Sequence, residues 1–401
     1  MKLLVADKFS EKHLDDFRAL GLEVDYRPEL SAAALPGALA GVQILVVRST
    51  EVTAAAVEGA DALTLIVRAG AGVNTIDRAA ASRRGIFVAN CPGKNAIAVA
   101  ELVFALLLAL DRRVPDQVAE LRAGRWNKKE YGQADGLFGR TLGVLGVGNI
   151  GVEVIRRARG FGMPVVAWSR SLDDARAREL GVTRAASPLA LAAHADAVTL
   201  HVALTKETRG LCGVDFFTAM RPRSLLVNTA RAEVVDAAAL AAAVTAKGLR
   251  VGLDVHAGEP DGGTGTLTSD LVALPGVYGT HHVGASTRQA EAAIADEAVR
   301  IVRSFLDRGE VPSCVNLAAR SPARWQLVVR HHDRVGVLAN VLGSLRRHDI
   351  NVEEVANQIF EGATAACCTI RLAKQPPAAC LAEIRSRTDE IFHVSVQDPG
   401  I

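Results

Sequence analysis

The sequence carries almost no excess of charge: 46 lysines and arginines stand against 44 aspartates and glutamates, a formal net charge of +2 over 401 residues. Without a basic surplus to neutralise phosphates, a generalised nucleic-acid binder is excluded, and no nucleic-acid partner is expected. Paired cysteines are also missing. The six present, at 91, 212, 314, 367, 368 and 380, include no C-x-x-C spacing. Neither a zinc site nor a disulfide framework follows, and no metal is expected. Cys367 and Cys368 are neighbours in a predicted strand, so their side chains point to opposite faces. No apolar run is long enough for a bilayer: the longest, "AIAVAELVFALLLAL" (Ala96 to Leu110), is short and contains Glu101. The start, "MKLLVADKFSEKHLDDF", turns acidic too soon for a secretory signal. No solenoid repeat or low-complexity tract is present. These absences leave a soluble, cytoplasmic, globular chain with no membrane partner. Its length and 49% hydrophobic content suit two or three domains with buried cores.

What is present is a rhythm. In residues 2–90, "KLLVAD", "GVQILVVRS", "LTLIVRAGAG" and "GIFVAN" read as strands, with helical stretches such as "EKHLDDFRAL" between them. Such alternation indicates parallel α/β units. A second run follows the helix at 96–111: "TLGVLGVG", "PVVAWSR", "AVTLHVAL", "SLLVNTA", "RVGLDV" and "VYGTHHVG". Six apolar strands with helices between them fit a doubly wound nucleotide domain. The long helix "STRQAEAAIADEAVRIVRSFLDRG" could carry the chain back to the first domain. The tail from 324 reads strand, helix, hairpin, helix, strand. The predicted division is 1–95 and 282–312 for a substrate-binding domain, 96–281 for a nucleotide domain, 313–323 for a linker, and 324–401 for a βαββαβ module.

Within "GVLGVGNIG", Gly146, Gly148 and Gly151 stand between a clean strand and a helix. That context suits a dinucleotide: Gly146 makes the turn, Gly148 admits a pyrophosphate and Gly151 permits close helix packing, with Asn149 and Ile150 opening the helix. The next strand ends in Ser169 and Arg170, where a carboxylate would bind ribose hydroxyls. A hydroxyl and a guanidinium suit a 2′-phosphate, so NAD and NADP both stay open. Arg231, Glu259 and His282 each follow a predicted strand. Arginine can grip a keto acid, histidine can move the proton that accompanies hydride, and glutamate can orient its ring.

The ordered set "VRAGAGVNTID", "CPGKNAIAVAEL", "GLFGRTLGVLGVGNIG", "HVALTKETRGL", "VNTARAEVVDAAAL", "DVHAGEP" and "HHVGAST" resembles the D-isomer-specific 2-hydroxyacid dehydrogenases. The resemblance spans nearly the whole chain. It implies that Arg231, Glu259 and His282 are catalytic. It implies cofactor contacts at His201, at Thr229 and Ala230 after Asn228, at Asp254 and at Gly284. It also implies substrate contacts from the "RAGAG" amides at Ala69 and Gly70, and from Asn95. Arg48 and Arg68 are the candidates for a substrate phosphate. Where the family has proline before its histidine, this chain has His281; strand alternation lets only one of the pair face substrate, and the H-x-G-A-S-T spacing selects His282. His281 is expected to pack.

The tail resembles an ACT domain, a small ferredoxin-like module, through His331, Arg334, Gly336, Val337 and Leu338 in "RHHDRVGVLANVL". The resemblance implies an amino-acid effector or pairing in a homo-oligomer. The expected fold is therefore two doubly wound Rossmann-like domains plus an ACT-like domain. The expected activity is oxidation of a D-2-hydroxy acid, 3-phosphoglycerate first, by NAD or NADP. An NADPH-dependent glyoxylate or hydroxypyruvate reductase and a cofactor-sensing corepressor are the alternatives.

Overall fold

The computed structural model describes residues 1–260, 264–318 and 321–398. Residues 319–320 of the predicted linker and 399–401 of the predicted tail module lie outside them. Two compact units result, 1–316 and 317–401.

The first unit contains two parallel sheets. One is built from β1 (Lys2–Val5), β2 (Glu23–Tyr26), β3 (Ile44–Val47), β4 (Leu65–Arg68) and β5 (Phe87–Asn90), in the order β2-β1-β3-β4-β5. Its central strands are apolar on both faces, as "ILVV" in β3 shows. That is the signature of a sheet covered by helices on either side. Leu3, Val5, Ile44, Leu65 and Val67 pack against Ile294, Ala298, Ile301 and Val302 of the helix Arg288–Arg308. The long helix does return to the first sheet. The strand Glu23–Tyr26 has no predicted counterpart. It is an edge strand with no buried residue, so no apolar run announces it.

The second sheet holds β6 (Leu142–Leu145), β7 (Val165–Trp168), β8 (Thr183–Arg184), β9 (Ala197–Leu200), β10 (Leu225–Asn228), β11 (Arg250–Leu253) and β12 (Val277–Gly279). Their order is β12-β11-β10-β9-β6-β7-β8, all parallel. Six of these match the predicted run. The seventh, β8, is two exposed residues on the outer edge and is silent in the sequence. The chain order reverses at β6, whose neighbours are β7 and β9. Crevices for ligands open beside such a switch point, at the C-terminal ends of the strands. The helix Ala96–Arg112 lies on this sheet and buries Val103, Phe104, Leu107 and Leu110 in its core.

The predicted linker begins too early. Ser313 accepts the Asn90 N–H, Val315 donates to the Val88 carbonyl at 2.8 Å, and the Asn316 side chain accepts the Val88 N–H at 2.9 Å. Residues 313–316 thus line β5 and close the first unit.

The second unit has β13 (Trp325–His332), β14 (Val352–Ile359), β15 (Ala365–Leu372) and β16 (Ile391–Gln397), antiparallel in the order β14-β15-β13-β16. Two helices, Val337–Arg347 and Ala378–Arg385, complete the strand–helix–hairpin–helix–strand pattern. Val341, Leu345, Cys380 and Ile384 pack on Leu327, Val329, Cys368 and Ile370. Among the described residues no helix is long and apolar enough to cross a membrane.

Candidate active site

Because the second sheet is parallel, the residues after β6, β7, β9, β10, β11 and β12 all emerge at one edge. Gly146 leaves β6 at a φ of +103°, in the region that disfavours side chains. A β-carbon there would stand 2.6 Å from the His201 carbonyl group. At Gly151 it would stand 2.1 Å from the Gly146 carbonyl oxygen. The helix Asn149–Gly160 can press onto the loop only because that residue is glycine. Gly148 differs: nothing lies within 4 Å of a β-carbon there. The loop is closed at two glycines and open at the third, facing the first-turn N–H groups of the helix. Ile150 packs into the core beneath, and the Asn149 amide lies under Gly93, 2.8 Å from where a β-carbon would be.

Four shielded side-chain polar atoms among the described residues have no hydrogen-bond partner: Arg68 Nε, Thr75 Oγ1, His201 Nδ1 and Thr229 Oγ1. Three of them belong to residues expected to meet a ligand. Buried groups left unpaired are costly, so orphans of this kind point to a missing partner. His201 shares a hydrogen bond of 2.9 Å between Nε2 and Thr199 Oγ1. Burial pushes its imidazole down to about 3, so it stays neutral. Thr229 follows β10, where the Asn228 side chain ties the turn by accepting the Ala230 N–H and donating to the Arg231 carbonyl. These contacts suit a nicotinamide cofactor, with a pyrophosphate at Gly148 and the orphaned donors alongside. Beyond β7, Ser169 is half-buried and Arg170 exposed. Glu207 lies near enough that the Arg170 charge adds to the Thr205 hydroxyl in lowering its pKa.

Glu259 and His282 meet. The imidazole Nδ1–H donates to Glu259 Oε2 at 2.7 Å, and the His256 backbone N–H donates to Oε1 at 2.7 Å. Burial opposes ionisation of Glu259. The His282 hydrogen bond, the His256 amide and the charge of either ring outweigh burial and hold the carboxyl below its ordinary value. His282 is not in a strand, because β12 ends at Gly279. Strand alternation therefore has no bearing on the two histidines, and His281 is exposed rather than packed. His282 has a left-handed backbone, φ +53°, and its ring meets Glu259.

Asp254 has a structural task. Its buried carboxylate accepts from Thr280 Oγ1 at 2.6 Å, Val283 N at 2.9 Å and Gly284 N at 2.9 Å. It clamps the loop on both sides of His282. Gly284 is glycine because a β-carbon would stand 2.8 Å from that carboxylate.

The arginines also converge. A β-carbon at Gly72 would lie 3.0 Å from Arg231 Nη2, so Arg231 rests against the "RAGAG" loop after β4. Arg231 also donates to the Ala230 carbonyl at 2.6 Å. Burial, then the charges of Arg231 and Arg48, depress the Arg68 guanidinium. Arg48 is held by Glu291 at 2.9 Å. The expected amides at Ala69 and Gly70 are already engaged: Ala69 donates to the Val47 carbonyl and Gly70 to the Arg68 carbonyl. Asn95 precedes the helix Ala96–Arg112 and makes no side-chain cap. The sequence reading missed Asp7, whose carboxylate accepts the N–H groups of Arg48, Ser49 and Thr50 and so aims Arg48. Its only signal is an acid just past the end of β1.

Residues 104–284 match the family described as D-isomer specific 2-hydroxyacid dehydrogenase, NAD binding domain. The D-3-phosphoglycerate dehydrogenase of Archaeoglobus fulgidus is 36% identical over 358 residues, 86% of this chain and 66% of that protein. The enzyme of the same name from Bacillus subtilis is 32% identical over 369 residues, 91% of this chain and 67% of that one. A crystal structure of a Thermus thermophilus protein, 34% identical, superposes with a TM-score of 0.70 over 79% of this chain and 100% of its own. The chain spans about two thirds of the length of these curated relatives. It belongs to the D-isomer-specific 2-hydroxyacid dehydrogenase family.

Proposed function

We propose that the chain oxidises a D-2-hydroxy acid to the 2-keto acid with a nicotinamide cofactor, and that 3-phosphoglycerate is the substrate. The observation that carries this reading is the Glu259–His282 hydrogen bond of 2.7 Å to Nδ1. With Nδ1–H committed to the carboxylate, Nε2 is left as the base. His282 takes the hydroxyl proton there, and Glu259 stabilises the imidazolium that forms. Arg231 holds the substrate carboxylate and the oxygen that becomes the carbonyl. Arg48 and Arg68 meet the phosphate, and Asn95 with the Ala71–Gly72 amides lines the carboxylate. A bound NAD or NADP would supply the hydride acceptor for the carbinol carbon. Gly146, Gly148, Asn149, Ile150 and Gly151 would hold its pyrophosphate. His201, Thr229, Ala230, Asp254 and Gly284 would flank the rest.

Residues 1–95 and 282–312 form the substrate-binding part of this reading, and 96–281 the cofactor-binding part. The βαββαβ topology of the second unit supports an ACT-like role, with an amino-acid effector or self-pairing in a homo-oligomer. The pair Ser169–Arg170 favours NADP over the habitual NAD, since no carboxylate stands there to repel a 2′-phosphate. The test is kcat/KM for 3-phosphoglycerate, D-lactate and hydroxypyruvate with each cofactor, in wild type and Ser169→Asp. The variant should lose NADP use and keep NAD. Absence of turnover with every substrate and both cofactors would reject the enzyme. Faster NADPH-dependent reduction of hydroxypyruvate or glyoxylate would favour a reductase.

A further inference from the structure

We propose that His256 is a positioning residue for the Glu259–His282 pair, an inference that rests on the catalytic reading of that pair. His256 lies just past β11, half-buried, and touches both partners' supports. On one side its backbone N–H donates to Glu259 Oε1 at 2.7 Å. On the other its ring Nε2–H donates to the Thr280 carbonyl at 2.8 Å. The ring lies over Gly279, where a β-carbon would stand 3.2 Å from Cε1. His256 therefore bridges the loop carrying Glu259 and the segment carrying His282.

That segment needs holding. His282 sits at φ +53°, a conformation that non-glycine residues keep only when their surroundings impose it. Asp254 grips Thr280 Oγ1 and the amides of Val283 and Gly284. The Thr280 carbonyl is the remaining handle just upstream, and the His256 ring takes it. The bond survives protonation of His256, because the added proton goes to Nδ1 while Nε2 keeps its own. A phenylalanine would fill the space above Gly279 yet donate nothing. A glutamine would return an N–H donor at similar reach.

The experiment compares His256→Phe and His256→Gln in the full chain, with thermal melts to establish folding. His256→Met serves as the donor-free variant if phenylalanine does not fold. We expect the donor-free variant to lose kcat about tenfold, the worth of one good hydrogen bond. KM for hydroxy acid and cofactor should stay within about twofold, and His256→Gln should recover most of the loss. In a Glu259→Gln background the donor-free change should cost less than about twofold, because residues acting through one another are not additive. Histidine-ring NMR gives a readout free of turnover. The His282 signal, assigned by its loss in His282→Gln, should move in the donor-free variant and return in His256→Gln. The proposal is overturned by an unmoved His282 signal. It is equally overturned by an undiminished loss in the Glu259→Gln background, or by a folded His256→Gln no better than the donor-free protein. A wild type that oxidises no D-2-hydroxy acid defeats the catalytic reading instead, and the NMR comparison still decides whether His256 positions His282.

Discussion

At the scale of single residues, the pairing of Glu259 with His282 was legible and the geometry of their loops was not. Arg231, Glu259 and His282 could be picked out by type and order along the chain. Strand alternation does not separate His282 from His281, because neither residue is in a strand. The H-x-G-A-S-T spacing still marks His282, and its contact with Glu259 agrees with that choice. His282→Ala should abolish turnover while the exposed His281→Ala keeps most of it, as measured by kcat in proteins with matching melting temperatures. Asp254 adds a task that the sequence does not display: its oxygens hold the loop around His282. Glu259→Gln removes the charge from the 2.7 Å contact with His282 Nδ1, so kcat should fall at least about tenfold at a matching melting temperature; an unchanged kcat would count against the pairing. His201 makes a stability prediction. Its pKa falls from 6.5 unfolded to about 3 folded. Below pH 6.5 the unfolded chain takes a proton that the folded one refuses, so stability is present above 6.5 and drains as pH falls towards 3. Between pH 6.5 and 5 the loss should be about 1–2 kcal/mol by linkage. Urea unfolding at both values checks it, with His201→Gln expected to lose less.

At the scale of elements, strands with apolar runs were readable and edges were not. β2 and β8 bury no residue, so periodicity has nothing to register. The glycine loop was legible as a turn from strand to helix, and the structure divides the labour among its three glycines. Gly151→Ala places a methyl 2.1 Å from the Gly146 carbonyl oxygen. Overpacking of this kind costs ~1–3 kcal/mol, and cofactor affinity should fall with it. Gly148→Ala meets nothing within 4 Å and keeps an ordinary extended φ of −83°. It should melt like wild type and still bind cofactor more weakly, because the methyl occupies the approach to the helix N-terminus. Thermal melts beside fluorescence titration with NADH and NADPH separate the two cases. Equal melting temperatures for both variants would show that Gly151 is not a packing residue.

At the scale of the whole molecule, the alternation of strands and helices foretold two parallel sheets, and the tail foretold the third. The place where the first unit ends was missed, because 313–316 is polar and short and its partners lie on β5, far back in the sequence. A chain ending at Asn316 should fold and keep turnover while losing assembly or effector response. A chain ending at Asp307 lacks both that segment and the end of the long helix, and should melt lower. Calorimetry and size-exclusion chromatography distinguish these outcomes; identical melting of both would mean that the β5 pairing contributes no stability.

The same path of the chain bears on how the protein is made. Residues of the first sheet leave the ribosome first, yet Leu3, Val5, Ile44 and Leu65 are covered by side chains from Ile294 to Val302. Roughly two hundred residues must be synthesised before that cover exists, about 10–40 s at typical elongation rates. During that interval the second sheet can close on its own contiguous segment while the first waits with one face bare. The bare face is apolar and strand-forming, so until the helix arrives it offers the kind of surface on which nascent chains aggregate.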